Sequence, residues 1–526
     1  MEYKQLVGFS GINRQVSNFL TKDGEFSDSQ NFNTKKVGVL KKAGDYESYV
    51  DQISGGLEVW SGVEHVKEDN TREHLIAVNK ETSSEIYKNI SNVWTSQSQN
   101  LTVRNRVRMA YFPPLRTTFA VNFADATRGY HEGVWDTWTN LGGAPRAKDV
   151  ISFGDRIWLL NCILDSENTS PSPTASVSSS PSNSASSSQS PSSSESMSQS
   201  ISNSSSESSS RSSSFSASAS PSSAPVDYYP ERAYMSSIVN ETITWDTVFD
   251  WVTFEDEIVG GGRLGDHMFV GCKNSCYLYT INNEKVLIST QGIVSVQAIA
   301  SYGKLAFYAT RDGVYAHDGG NETKISEPIQ EYWEAISESN LADVSMCVRG
   351  NSLFVSIGTI TLDEISMSNV VFEYDILQND WNKLSYGFKV TNLHTFVTST
   401  GKSLFGGSDA GKVWKLQTSS AQNGEPIHSY WESDWVYGGD PKTKKSLREF
   451  WGYGKDLSGI NCFAKSDDGE WQSIGKMNGS KAMCGCKING YRFKFLVDES
   501  SKNNMYELHM FEYGYENLYE GAQKED

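Results

Sequence analysis

Long apolar runs, helical periodicity and paired cysteines are scarce in this chain. No stretch of about 20 apolar residues occurs, so the sequence offers no membrane-spanning helix and no membrane insertion is expected. The opening residues, Met1 to Gln5, lack the apolar core of a secretory leader, an expectation against export by that route. The cysteines number 7, at Cys162, Cys272, Cys276, Cys347, Cys462, Cys484 and Cys486. An odd count argues against a complete disulfide framework. The close pairs, Cys272 with Cys276 and Cys484 with Cys486, lack C-x-x-C spacing, and no histidine stands at zinc-finger distance from either. They read as small buried hydrophobes, with a metal site as the alternative, in a chain made in a reducing cytoplasm. Basic residues are also outnumbered: 46 Lys and Arg against 64 Asp and Glu leave a net charge of −18. A generic basic nucleic-acid binder is thereby excluded, and any DNA contact needs a local basic strip.

Catalytic fingerprints are missing as well. There is no P-loop, no G-x-S-x-G and no H-E-x-x-H. Gly260–Gly262 reads as lying between strands, without the downstream helix that a dinucleotide fingerprint requires. Carboxylates abound, yet no spacing selects the acid–base pair of a propeller glycosidase. Ser466–Trp471 loosely echoes an Asp-box turn but occurs once, so it reads better as a hairpin with Asp468-Gly469 at its corner. No catalytic, cofactor or metal residue is assigned, and the chain is expected not to be an enzyme.

What is present is β-sheet. At roughly 150 residues per domain, 526 residues imply two to four domains. A Ser-rich tract over 166–223 is almost devoid of apolar residues and cannot offset its ordering entropy, so it is expected to be a disordered, exposed insertion. The flanking Ile157–Leu160 and Arg232–Ser236 read as neighbouring strands of one sheet. The tract is then either a tolerated surface insertion or an outward, modifiable bristle. Elsewhere, short apolar segments alternate with Gly, Asn and Asp turns. Examples are Val107–Tyr111, Thr118–Val121, His267–Gly271, Leu305–Ala309, Ser352–Ile357 and Val413–Leu416. Glu327–Ala342 is the best helical candidate. Strand pairs recur with aromatic-Asp or aromatic-Gly endings at roughly 40–50 residues, the blade length of a β-propeller. The expected fold is all-β: a β-propeller of about six to seven blades over 51–424, interrupted by the Ser tract, and a β-sandwich lobe over 425–526. Residues 1–50 are expected to form an N-terminal strand segment and the propeller closure.

One basic strip stands out. In Val103–Met109, Arg104, Arg106 and Arg108 alternate with mostly apolar residues, and on a strand all three would project from one face. Such a ladder can meet phosphates, or it can be a solvated or subunit-facing strand face with acidic partners. Lys442, Lys444, Lys445 and Arg448 read as a solvated turn, and Lys35, Lys36, Lys41 and Lys42 flank a strand.

The order of short motifs resembles a known family. Gly8–Asn13, Asp23–Glu25, Ser29–Asn33 and Gly38–Gly44 open the series. Phe153–Trp158, Ile243–Trp245, Ile258–Gly261, Asn274–Tyr279, Gln291–Ser295, Arg311–Tyr315 and Phe372–Asp375 with Trp381 continue it. Asp467–Gly469 with Trp471, Arg492–Phe495 and Leu508–Phe511 close it. In this order the chain is similar to the tail hub or nozzle (packaged-DNA-stabilisation) proteins of short-tailed bacteriophages. The resemblance implies a virion structural protein that assembles in the host cytoplasm as a ring of six copies. That ring would sit below the portal and adaptor, retain packaged double-stranded DNA in its channel, and carry tail fibres or a plug. It implies no cofactor and no catalytic residue. Two other functions fit the residues: a carbohydrate-binding adhesion propeller and a propeller glycoside hydrolase.

Overall fold

The computed structural model describes residues 1–14, 25–131, 135–164, 227–239, 242–417, 421–479, 481–500 and 505–518. The Ser-rich tract lies outside the described residues. Among those residues the strands form nine antiparallel sheets.

Seven of the sheets follow one another along the chain as meanders. The first comprises Gly56–Val66, Arg72–Lys80, Ser84–Ile90 and Val93–Ser96; the second, Arg108–Phe112, Thr117–Val121, Arg128–His131 and Trp135–Asn140. The third holds Arg146–Phe153, Arg156–Leu164 and Asp227–Val239, with Thr242–Trp245 and Trp251–Thr253 both paired to the last of these. Thus the strands on either side of the Ser-rich tract are direct neighbours, Trp158 opposite Met235 and Leu164 opposite Asp227. The fourth sheet contains Ile258–Leu264, His267–Cys272, Cys276–Thr280 and Lys285–Ser289; the fifth, Ile299–Tyr302, Leu305–Ala309, Val314–His317 and Glu322–Lys324. The sixth contains Ser345–Arg349, Ser352–Leu362, Ile365–Asp375 and Asp380–Ser385. The seventh has Val390–Thr398, Gly401–Ser408 and Val413–Leu416, and its fourth strand is Tyr46–Ser48 from near the N-terminus.

The first strand of each sheet packs beside the first strand of the next, and Val390–Thr398 returns beside Gly56–Val66. The arrangement is therefore propeller-like. The second strands are squeezed between neighbouring sheets, which is why they read as unbroken apolar runs such as Leu75–Val78, all buried. At the seam between seventh and first sheets, a Cβ on Gly62 would lie 2.5 Å from the His394 ring, so only glycine admits that close approach. Thr391 Oγ1 donates to the Val59 carbonyl across the same seam at 2.7 Å. Gly260–Gly262 proves to lie inside the strand Ile258–Leu264, not between strands. A Cβ there would collide with Val296, Ile151 or Ile299, so the triplet serves close sheet packing.

Two further sheets form a lobe. One joins Glu2–Val7, Phe32–Lys36 and Val39–Lys42 to Lys445–Lys455, Lys481–Gly490 and Glu507–Asn517. The other joins Asp28–Gln30 to Ser429–Glu432, Phe493–Glu499, Asn461–Ser466 and Gln472–Lys476. Both chain ends thus share the lobe, while Tyr46–Ser48 completes the seventh sheet. Phe493–Glu499 alternates buried and half-buried residues, as expected of a sheet with one face on a core. That core stacks Phe450 on Phe495 with ring centroids 4.7 Å apart. The hairpin at Asp468-Gly469 is present: Gly469 N–H donates to the Ser466 carbonyl at 2.8 Å between paired strands. The helical candidate is not one helix. Glu327–Ile329 is a 3-10 turn, followed by short helices Gln330–Glu334 and Glu338–Leu341. Ser337 interrupts them by capping the second, accepting the Asn340 N–H.

An ion pair joins lobe and sheets. Lys383, on the sixth sheet, is fully buried and donates to Asp28 at 2.6 Å and to the Tyr430 hydroxyl at 2.9 Å. Asp28 also accepts from Tyr332 at 2.6 Å and Tyr430 at 2.7 Å. Burial pulls the Lys383 ammonium below the ordinary lysine value, against the pull of Asp28. Within the lobe, Lys42 and Glu499 make a second buried pair at 2.7 Å between its two sheets. Asn31, held at a φ of 59°, accepts the Ser385 N–H and donates to the His428 carbonyl.

Lys383→Met leaves the half-buried Asp28 without its ammonium partner, hydrogen-bonded to the Tyr332 and Tyr430 hydroxyls, and we expect it to lower stability by about 3 kcal/mol in urea denaturation. His394 is buried at the closing seam, and burial, with His74 nearby, pushes it down to about 3. It stays neutral when folded but takes a proton in the unfolded chain below about pH 6.5, so stability falls as pH drops from there toward about 3. His394→Gln should therefore lose less stability than the native chain between neutral pH and mild acid, measured by urea midpoints across pH.

Candidate functional site at the mouth of the sheet array

The three arginines of the basic strip do not form a strand ladder. Only Arg108 begins a strand; Arg104 sits in a turn at a φ of 62°, and the chain between them is irregular. The turn nevertheless brings all three to one cavity of about 390 Å³. The cavity lies where the second to sixth sheets begin, at one mouth of the space enclosed by their first strands. Its wall carries Arg104, Arg106, Arg108 and Lys148 against a single carboxylate, Glu257. Its apolar part comes from Phe123, Ile258, Val259, Val294 and Val296.

Each cation is held differently. Arg108 donates from Nε to Asp149 at 3.1 Å; Asp149 is buried and also accepts the Gly261 N–H at 3.0 Å. Burial raises the Asp149 carboxyl above the ordinary value, in spite of Arg108 and these hydrogen bonds. Arg106 donates to Asp343 at 2.9 Å, with Glu58 at 3.8 Å; Asp343 in turn accepts from Lys389 at 3.1 Å. Glu58, Arg106, Asp343 and Lys389 belong to the first, second, sixth and seventh sheets or the segments leading into them, so this chain of charges crosses the mouth. Lys148 reaches Glu257 at 2.8 Å, and that hydrogen bond holds the Glu257 carboxyl below its usual range. Lys148 also lies 5.1 Å over the Phe123 ring. The exposed Arg104 makes one contact through its backbone, donating to Asn79 at 3.4 Å, and its guanidinium has no ion-pair partner among the described residues.

Lys148, Asp149, Glu257 and Asp343 were not singled out from the sequence. A signal existed for the first two: a charged pair opening an otherwise apolar segment, Val150–Phe153. The other basic groups are absorbed structurally. Lys445 is buried and donates to the Thr443 carbonyl at 2.7 Å, and Arg448 pairs with Glu516 at 2.9 Å. Lys442 and Lys444 stay in the turn ahead of the strand. Lys35 pairs with Glu373 at 2.5 Å and Lys36 with Glu507 at 3.1 Å. Cys162, Cys272 and Cys276 are buried, and burial pushes their thiols up, that of Cys272 to about 12. Among the described residues, no group of three or more His, Cys, Asp or Glu is placed to hold a metal ion.

No protein-family model and no curated protein matches the chain. Among solved structures it is similar to the extracellular domain of the one-component system BT4673 from B. thetaiotaomicron, at 10% identity and a TM-score of 0.39. That match covers 79% of this chain and 45% of the other, so the chain spans less than half of that domain's length. It is also similar to YCF48 bound to D1 peptide, at 8% identity and a TM-score of 0.37, over 71% of this chain and 95% of the other. Likenesses of this size carry no functional argument.

Removing Asp149 should expose the design of the mouth. Asp149→Ala leaves Arg108 without its anchor and is expected to cost about 3 kcal/mol. The double variant with Arg108→Met should recover most of that loss, as a double-mutant cycle in urea would show.

Proposed function

We propose that this chain is the repeating subunit of a tail hub or nozzle ring in a short-tailed bacteriophage, built on a seven-bladed propeller. Six copies would surround the DNA channel below the portal and adaptor and carry fibres or a plug. One observation carries the reading: segments that resemble this family sit at the joints of the molecule. Ser29–Asn33 bridges the sixth sheet and the lobe through Asn31, and Gly38–Gly44 ties the two lobe sheets together through Lys42. The earlier stretch, Gly8–Asn13, docks on Trp381, whose carbonyl accepts the Ile12 N–H at 2.9 Å. A subunit that must bear the pressure of packaged DNA benefits from such cross-bracing, because sheets closed in a cycle leave few free edges.

In this reading the duplex passes through the channel between copies and not through the sheet array of one chain. The Arg106–Asp343–Lys389 series bars that mouth. The net charge of −18 would let DNA slide past.

Negative-stain imaging and mass photometry of the purified chain, alone and with its portal–adaptor complex, test the proposal. Closed rings of six copies are expected. A particle that stays monomeric with the complex and binds a neutral glycan array would favour the adhesion propeller instead.

A further inference from the structure

We infer that the cavity walled by Arg104, Arg106, Arg108 and Lys148 is a binding site for a small organic anion: a carboxylate or phosphate group on an apolar body. The inference is independent of the ring proposal.

The wall is charged asymmetrically. Four cations and one carboxylate line it, whereas Asp149 and Asp343, which anchor Arg108 and Arg106, do not. The anchoring carboxylates orient two guanidinium groups without occupying the cavity. A guanidinium has five N–H donors, and Arg108 commits only Nε to Asp149 while Arg106 commits only Nη2 to Asp343. Arg104 commits none of its side-chain donors among the described residues. The two anchored guanidinium groups are what a carboxylate or phosphate needs, because they have little rotamer freedom left to lose on binding.

The rest of the cavity selects for an apolar body. Val294, Val296, Ile258 and Val259 come from the strands and loops of the fourth and fifth sheets, and Phe123 closes the side near Lys148. Asn105, Asn122 and Ser295 add neutral polar groups on the wall. At about 390 Å³ the volume falls within the range of small-molecule sites, roughly 300–1,000 Å³. A DNA duplex, whose major groove alone is about 12 Å wide, does not enter such a cavity. The same arginines that read as a phosphate-tracking ladder in the sequence are, in the fold, arranged around a much smaller guest.

Isothermal titration of the full chain with phenyl phosphate, phenylacetate, inorganic phosphate and benzyl alcohol tests this. Phenyl phosphate, phenylacetate or both should bind, and their order tells which anionic group the site prefers. Inorganic phosphate should bind more weakly and benzyl alcohol not at all. Arg104→Ser should weaken the bound anion by about tenfold, the loss of one charge-assisted hydrogen bond, with an unchanged melting temperature, since that side chain has no partner to lose among the described residues. Lys148→Met, which keeps the stem and removes the charge, should weaken it similarly. The inference is overturned if neither ring-bearing anion binds up to about 10 mM, a dissociation constant too weak to matter. Equal binding by the native chain and both variants would also overturn it. So would binding of a short DNA duplex through Arg104 with no binding of either small anion.

Discussion

The buried pair of Lys383 and Asp28 holds the two parts of this molecule in one frame. Lys383 belongs to the sixth sheet, Asp28 to the N-terminal strand of the lobe, and the hydroxyls that complete the cluster come from a short helix and a lobe strand. Removing an ammonium and a carboxylate from water is expensive, and the attraction between them offsets that only when their remaining hydrogen-bonding capacity is filled. Tyr332 and Tyr430 fill it here. The geometry tolerates little displacement, so the cluster specifies the position of the lobe more sharply than apolar contact alone would. Lys42 with Glu499 makes a comparable buried pair within the lobe, between its two sheets.

This frame explains why both chain ends lie in one lobe. Strands from residues 2–42 pair with strands from residues 429–517, and the segment between them and the first sheet gives its Tyr46–Ser48 strand to the seventh. A cycle of meandering sheets is closed by chain from its opposite end, so unravelling the N-terminal end as far as Ser48 must break both lobe and cycle. The charged mouth shows the same economy. Asp149, Asp343 and Glu257 belong to three different sheets or the loops before them, and each fixes a cation of the cavity wall.

Much of the architecture was legible in residue order. Apolar runs such as Leu305–Ala309 and Cys276–Thr280 emerge as strands because a segment pressed between two sheets is apolar on both faces. The pairing across the Ser-rich tract was legible for the same reason. The arginine strip shows where such reading stops. Alternation in Val103–Met109 imitates a strand, yet Arg104 takes a left-handed turn, and only a fold that converges five sheets gathers the arginines around a cavity. The glycine triplet misled likewise. Its glycines answer to Val296, Ile151 and Ile299, residues distant in sequence that close packing brings within reach.

Composition and local pattern were enough to specify an all-β chain: short strands, Gly and Asn turns, and almost no helical period, because these are properties of neighbouring residues. They also fixed a net charge of −18 and an odd count of 7 cysteines, from which the expectations about partners and disulfides start. Tertiary structure decided which cations are spent on buried carboxylates and which are left facing a cavity. It decided that residues 2–42 belong with residues 429–517. Those outcomes depend on burial and on pairing between residues hundreds of positions apart, such as Asp28 and Lys383, and no local pattern encodes either.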